Sequence, residues 1–220
     1  MIAPTHRTVP HALLAFCLLI LVTMLCACAK PQQGPPLPKV KIGLAGFTQP
    51  RTPLAMLAGY APEEAPEIPQ KIMTQLDESL ENVLARETNR EYLTGNLYMR
   101  CKDAKPTGQT RSRGSALRQW AAVGMCMKVD VLLVPHILAY HEREGSEAGI
   151  TKPASVTMDL FLIDAKSGTL FSRSHFEETQ TALTDNLLNT PKFFSRGGKW
   201  ITGMQLAREG MLKAIKDLGL

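Results

Sequence analysis

Apolar positions along this chain fall into blocks with two different periods. In Lys39–Phe47, Val40, Ile42 and Leu44 alternate with other residues, the period of a strand. Ile68, Ile72, Leu76, Leu80, Val83 and Leu84 follow helical spacing, which predicts an amphipathic helix over Pro69–Ala85 with Pro69 in its first turn. Glu91–Met99 reads as a second strand, and 49–67 as a long irregular connection rich in proline. After a polar, basic stretch at 100–113, Ser115 caps a second helix on which Leu117, Trp120, Ala121 and Gly124 share a face. Val129–Tyr140 is nearly all apolar, as suits a strand covered on both faces. In Ala154–Asp164, Val156, Met158, Leu160 and Leu162 alternate onto one face. Lys166-Ser167-Gly168 supplies a turn, with Gly168 free to take positive φ, and Thr169–Phe176 returns. Thr202 to Gln205 form a capping-box pattern that opens a last helix ending near Leu218, with Met204, Ala207, Met211, Ile215 and Leu218 inward. The order β-α-β-α-β-β-β-α predicts an α/β fold, α+β-like, with a single mixed β-sheet and packed helices.

The first residues have a different character. Ala12–Leu25 is an uncharged apolar run, preceded by a polar segment whose only side-chain charge is Arg7. A bilayer-spanning helix needs about 20 such residues, so the run is sized for a cleaved signal helix. Leu25-Cys26-Ala27-Cys28 resembles a lipobox, the cleavage site of bacterial lipoproteins. Leu25 and Ala27 fit the branched and small positions before a lipidated Cys28, whereas Cys26 fits poorly as the acceptor. The alternative is an ordinary secretory signal in which these cysteines fall by chance. Thioether lipidation needs a sulfur, and two or three acyl chains bind a bilayer firmly where one is marginal. Ala29 stands where, in such lipoproteins, aspartate marks inner-membrane retention, so the resemblance implies the outer membrane, facing the periplasm. The expected organisation is a signal peptide at 1–27, a lipidated cysteine with a Pro-rich tether at 28–38, and one periplasmic domain at 39–220.

Composition changes this picture in two ways. Without Arg7 the chain keeps 24 basic residues against 20 acidic ones, too mild an excess to suggest nucleic acid. Beyond the anchor, Cys101 and Cys126 remain, and an oxidising compartment favours a disulfide between them. Such a bridge closes a loop of about 26 residues and contributes roughly 3 kcal/mol. Two buried thiols are the alternative.

The lipobox, the KVKIGLAGF strand, the long amphipathic helix, the VDVLLVPHI strand and the VTMDLFLIDAKSGTLFSRS hairpin together resemble a broad group of periplasmic lipoproteins and domains. It includes the curli secretion lipoprotein CsgG, the lipoprotein activators of penicillin-binding proteins, and the amino-terminal domain of TolB. The resemblance spans roughly 39–176 and implies a fold more than a function. It departs from CsgG in offering no pair of long alternating runs for a membrane-spanning hairpin. The short tether departs from activators that reach across the cell wall.

Catalytic constellations do not stand out. His136 and His141 lie on or just after one strand, five apart, which places them on opposite faces; His175 lies on the return strand. They read as one core and two surface histidines. Asp159 and Asp164 read as a solvent-face residue and a turn residue. No catalytic residue, metal ligand or cofactor is assigned. Two segments suit partner binding. One is the basic loop with Arg100, Lys102, Lys105, Arg111 and Arg113; the other is Lys192–Trp200, with Phe193, Phe194, Arg196, Lys199 and Trp200. A solvated basic face and a core-packing linker are the respective alternatives. The expected protein is a non-enzymatic adaptor or assembly factor of an envelope machine, held by its lipid and bound to a protein partner. A subunit of an oligomeric secretion apparatus, hence a homo-oligomer, and an envelope hydrolase are the other two readings.

Overall fold

The structure, a computed structural model, describes residues 36–52, 55–58, 65–105, 113–147, 149–181 and 194–220. The signal segment and Cys28 lie outside the described residues, as do Arg111 and Phe193; the side chain of Arg113 is not described either. Residues 33–220 form one compact unit. Among the described residues no helix is long and apolar enough to cross a membrane.

The fold is a mixed α/β arrangement on one five-stranded sheet. Its elements are β1 (Ile42–Leu44), α1 (Gln70–Glu87), β2 (Tyr92–Leu93), α2 (Asn96–Cys101), α3 (Arg113–Met127), β3 (Val131–His141), β4 (Glu144–Gly145), β5 (Ile150–Lys152), β6 (Ser155–Asp164), β7 (Leu170–Thr179) and α4 (Gly203–Leu218). The sheet runs β2-β1-β3-β6-β7, with β1 parallel to both neighbours and β3-β6-β7 antiparallel; β4 and β5 pair as a separate short arm.

Burial divides the core by sheet face. On one side α1 and α4 bring Leu76, Leu80, Leu84, Leu206, Met211 and Ile215 onto Ile42, Leu133, Met158 and Leu160. On the other, α2 and α3 bring Cys101, Val123 and Met127 onto Leu132, Val134, Phe161 and Ile163. β6 is therefore covered on both faces, one of them wholly apolar through Val156, Met158, Leu160 and Leu162, the other carrying Thr157 and Asp159 beside Phe161 and Ile163. The Cys101 and Cys126 sulfurs are bonded, with Cα atoms 5.6 Å apart, and join the end of α2 to the last turn of α3. At six residues, α2 is too short to be a stable helix alone.

Three local expectations change. Only Tyr92–Leu93 of the expected second strand is extended; Gly95, at φ 60°, turns the chain into α2. The β3–β6 register shifts between Ile137 and Ala139, so Leu138 is an extra residue. That bulge returns His141 to the face of His136 instead of the opposite one. Asp159 is wholly buried rather than solvent-facing. The capping box on α4 is formed, with Thr202 Oγ1 accepting from Gln205 N and Gln205 Oε1 accepting from Thr202 N.

Gly210 lets α4 lie close on the sheet. A Cβ there would stand 2.6 Å from Phe176 Cδ1 and 2.7 Å from Met158 Cε. Gly210→Ala is expected to destabilise the domain by roughly 1–3 kcal/mol, the cost of overpacking, seen as a lower urea midpoint at unchanged slope.

Candidate functional site

Two polar clusters stand out, one on the sheet and one at the end where α4 begins. The first exists because β3, β6 and β7 align His136, Asp159 and His175 in one cross-strand row. Asp159 Oδ1 accepts from Arg173 Nε at 3.0 Å and Nη2 at 2.8 Å, and lies 2.8 Å from His175 Nδ1. His175 Nε2 faces Glu177 at 3.5 Å. The Arg173 guanidinium also lies over the Phe161 ring, 5.7 Å from its centroid. His136 packs edge-on against Phe161 and tilted against Trp120. Burial lowers its pKa to about 4, outweighing the Asp159 charge that would raise it. His136 Nδ1 and Asp159 Oδ2 are buried without hydrogen-bond partners among the described residues. The arrangement holds a carboxylate inside the sheet between a guanidinium and an imidazole. Sequence reading missed it because the partners are 14 and 16 residues downstream; the signal was an acid between apolar neighbours with cations on the return strand.

The second cluster joins the end of β3 to α4. Glu142 accepts from the Tyr140 hydroxyl at 2.9 Å and from Gly203 N at 2.8 Å. Burial, then the Glu142 contact, raises the Tyr140 pKa. A carboxylate at a helix N-terminus is stabilising. Arg143 donates to the Trp200 carbonyl, and Trp200 N donates to the Glu147 carbonyl. Arg196 bridges Glu178, at 2.7 Å, and Glu209, at 2.5 Å.

These contacts correct the reading of the 192–200 segment. Arg196, with a side chain only 9% exposed, is turned inward to two carboxylates and is not presented to a partner. Lys199 is exposed and pairs with Glu147 at 2.9 Å. Trp200 is half-buried, while Phe194 is 67% exposed. Of the basic loop, Arg100, Lys102 and Lys105 are exposed. Among the described residues, no group of three His, Cys, Asp or Glu side chains is placed to hold a metal ion.

A small cleft of about 130 Å³ opens between β1, α1 and α2, lined by Leu44–Gly46, Asp77, Glu81 and Tyr98. Asp77 accepts from Phe47 N at 2.6 Å, and burial raises its pKa. The Tyr98 pKa is raised too, first by burial and then by the Asp77 charge.

No family model matches the chain, and no curated protein does. Solved structures with a similar chain path include a PelC dodecamer from Paraburkholderia phytofirmans, at 12% identity and TM-score 0.48, covering 86% of this chain and 94% of that one. The hypothetical protein CT253 from Chlamydia trachomatis aligns at 10% identity and TM-score 0.38, covering 83% and 92%. The lipoprotein GNA1162 from Neisseria meningitidis aligns at 11% identity and TM-score 0.34, covering 73% and 99%. Likeness of this degree concerns chain path and not chemistry.

The depressed pKa of His136 has a signed consequence. The unfolded chain binds this proton from about pH 6.5 downward, and the folded chain only near pH 4. Protonation therefore favours unfolding across that window, and stability falls as pH drops through it. Urea unfolding of His136→Gln is expected to lose less stability than the wild type between those two pH values; parallel profiles would show that the imidazole carries no such linkage.

Proposed function

We propose that this protein is a lipid-anchored component of the bacterial envelope. It is attached through Cys28 to the periplasmic side of the outer membrane and works as a non-enzymatic adaptor or assembly factor. The observation that carries this reading joins a sequence motif to a contact. Leu25–Cys28 has the lipobox pattern, and only seven residues separate Cys28 from Pro36. The next residue is already fastened: Leu37 N donates to the Gly219 carbonyl at 3.0 Å, and the Arg90 guanidinium donates to the carbonyls of Leu37 and Pro38. At about 3.3 Å per extended residue, an anchor at Cys28 keeps the domain within roughly 30 Å of its membrane. A domain on so short a lead acts on what is at the membrane. The buried ionisable side chains support a binding role, because Asp159 and Arg196 are occupied by charges of their own chain. The resemblance to the CsgG, activator and TolB amino-terminal group belongs to this same proposal.

Apolar exposure favours a second reading, a homo-oligomeric subunit. Leu93 and Met99 are exposed beside β2, and Leu170 and Phe171 on β7, at opposite edges of the sheet. Head-to-tail packing of copies would bury one pair against the other, and such heterologous contacts close into rings.

Cys28→Ser is expected to abolish incorporation of labelled palmitate and to leave the apolar 12–25 segment uncleaved, seen as a heavier protein; palmitate incorporation into the variant, or a chain of unchanged mass, would sink the anchoring. In-cell crosslinking of the tagged wild type is expected to recover one discrete envelope complex. Ladders of the protein alone, lost in a Phe171→Glu variant, would instead establish the oligomeric reading.

A further inference from the structure

We propose that the end of the domain through which the chain enters is a docking face for anionic phospholipid headgroups of the membrane that carries the anchor. This rests on lipidation at Cys28 as proposed above, and it adds an orientation. Backbone contacts gather several elements at that end. The Asp130 carboxylate accepts from Lys41 N at 2.8 Å, Asp130 N donates to the Lys41 carbonyl at 3.0 Å, and Ala165 N donates to the Asp130 carbonyl at 3.0 Å. The start of β1, the start of β3 and the β6–β7 turn are thus level with one another. α1 ends here because its C-terminus leads into β2 beside β1, and α3 ends here because it leads into β3. α4 ends here because Gly219 holds Leu37.

Charge distinguishes this end from the opposite one. Far from the entry, Lys152, Arg196 and Lys199 are each paired with glutamate. At the entry, Lys39, Lys41, Lys128 and Lys166 are exposed and form no ion pair among the described residues. Arg86 and Lys216, in the last turns of α1 and α4, offset the partial negative charge of those helix ends. The acids nearby keep their charge but are outnumbered. Asp130 holds Lys41 N, Asp164 accepts from Lys166 N and Ser167 N, and Asp217 meets Ser174 and Lys213. With Glu87 and Glu91 they make five acids against eight cations (Lys39, Lys41, Arg86, Arg90, Lys128, Lys166, Lys213 and Lys216), so the face is cationic.

Lys128 is singular in another respect. Among the described residues it is the only non-glycine with positive φ, at 57°. The position closes α3, where glycine ordinarily stands, and lysine there carries a backbone cost that glycine would avoid. Met125, 56% exposed, accepts from Lys128 N through its carbonyl and offers an apolar side chain beside the cation. Lysines with a neighbouring methionine, on a face tied eight residues from a lipid, have the composition that an anionic headgroup layer recognises.

The test uses full-length lipidated protein in vesicles of phosphatidylethanolamine with phosphatidylglycerol, and in neutral phosphatidylcholine vesicles for comparison. Amine labelling is read by peptide mass. Lys39, Lys41, Lys128 and Lys166 are expected to be protected about fivefold in the anionic vesicles, and high salt to remove the protection. Lys71, at the far end of α1, is expected to label equally in both. Equal labelling of the four lysines in both vesicles overturns the proposal, whether or not the protein is anchored. Independently, the unlipidated mature chain from Ala29 onward is expected to cosediment with anionic and not with neutral vesicles, and K39E/K41E/K128E/K166E to weaken this by at least about tenfold with unchanged thermal unfolding. No cosedimentation, or none lost on charge reversal, also overturns it. The mass of the Cys28 peptide reports lipidation separately, so failure of the anchor and failure of the docking face are distinguishable.

Discussion

Everything in this domain is arranged around a β3–β6 pair that is allowed no wet face. The two strands run antiparallel for the length of the sheet, and nearly every residue of both is buried. A sheet with one covered face can put its polar alternate positions in water; this one cannot. Helices must therefore cover both sides, and they do so unequally. α1 and α4 are long and amphipathic and pack on each other as well as on the sheet. α2 and α3 form a thinner layer that a disulfide cross-links. Where the thinner layer runs out, polar residues enter the sheet, and His136, Asp159, Arg173 and His175 stand together there.

The sequence discloses the strands and helices that obey a single strong period. The apolar run of β3, the two long helices, the capping box of α4, and the β6–β7 hairpin closed by Gly168 all follow from local residue order. What the sequence conceals depends on partners distant along the chain. Asp159 looks like a solvent-facing alternate position until β7 folds back and delivers Arg173 and His175 to it. Arg196 looks like a surface cation until Glu178 and Glu209 converge on it from β7 and α4. The bulge at Leu138 leaves no mark in the apolar pattern, because Ile137, Leu138 and Ala139 are all apolar, yet it decides which face His141 takes. The residues at 91–99 have strand-like composition, but Gly95 diverts them into a helix.

Partner-facing chemistry was the least legible part for the same reason. A cation in a sequence is a candidate contact until its own chain's acids are located. Once they are, Arg196 and Lys199 prove to be engaged internally, whereas Lys39, Lys41, Lys128 and Lys166 form no ion pair among the described residues.

The fastening of residues 37 and 38 bears on how the protein withstands load. With Cys28 anchored as proposed, anything that pulls the domain from the membrane pulls on the chain just ahead of β1. β1 is an interior strand, bonded on one side to β2 and on the other to β3. Tension entering at its first residue acts along the strand, so its ladder bonds are strained together rather than peeled one after another. Before that tension reaches β1, the Arg90 and Gly219 contacts divert part of it into the α1–β2 connection and the end of α4. The entry of the chain is thus a shear joint with a strain relief, so that a tug from its N-terminal side moves the whole domain before it opens the sheet.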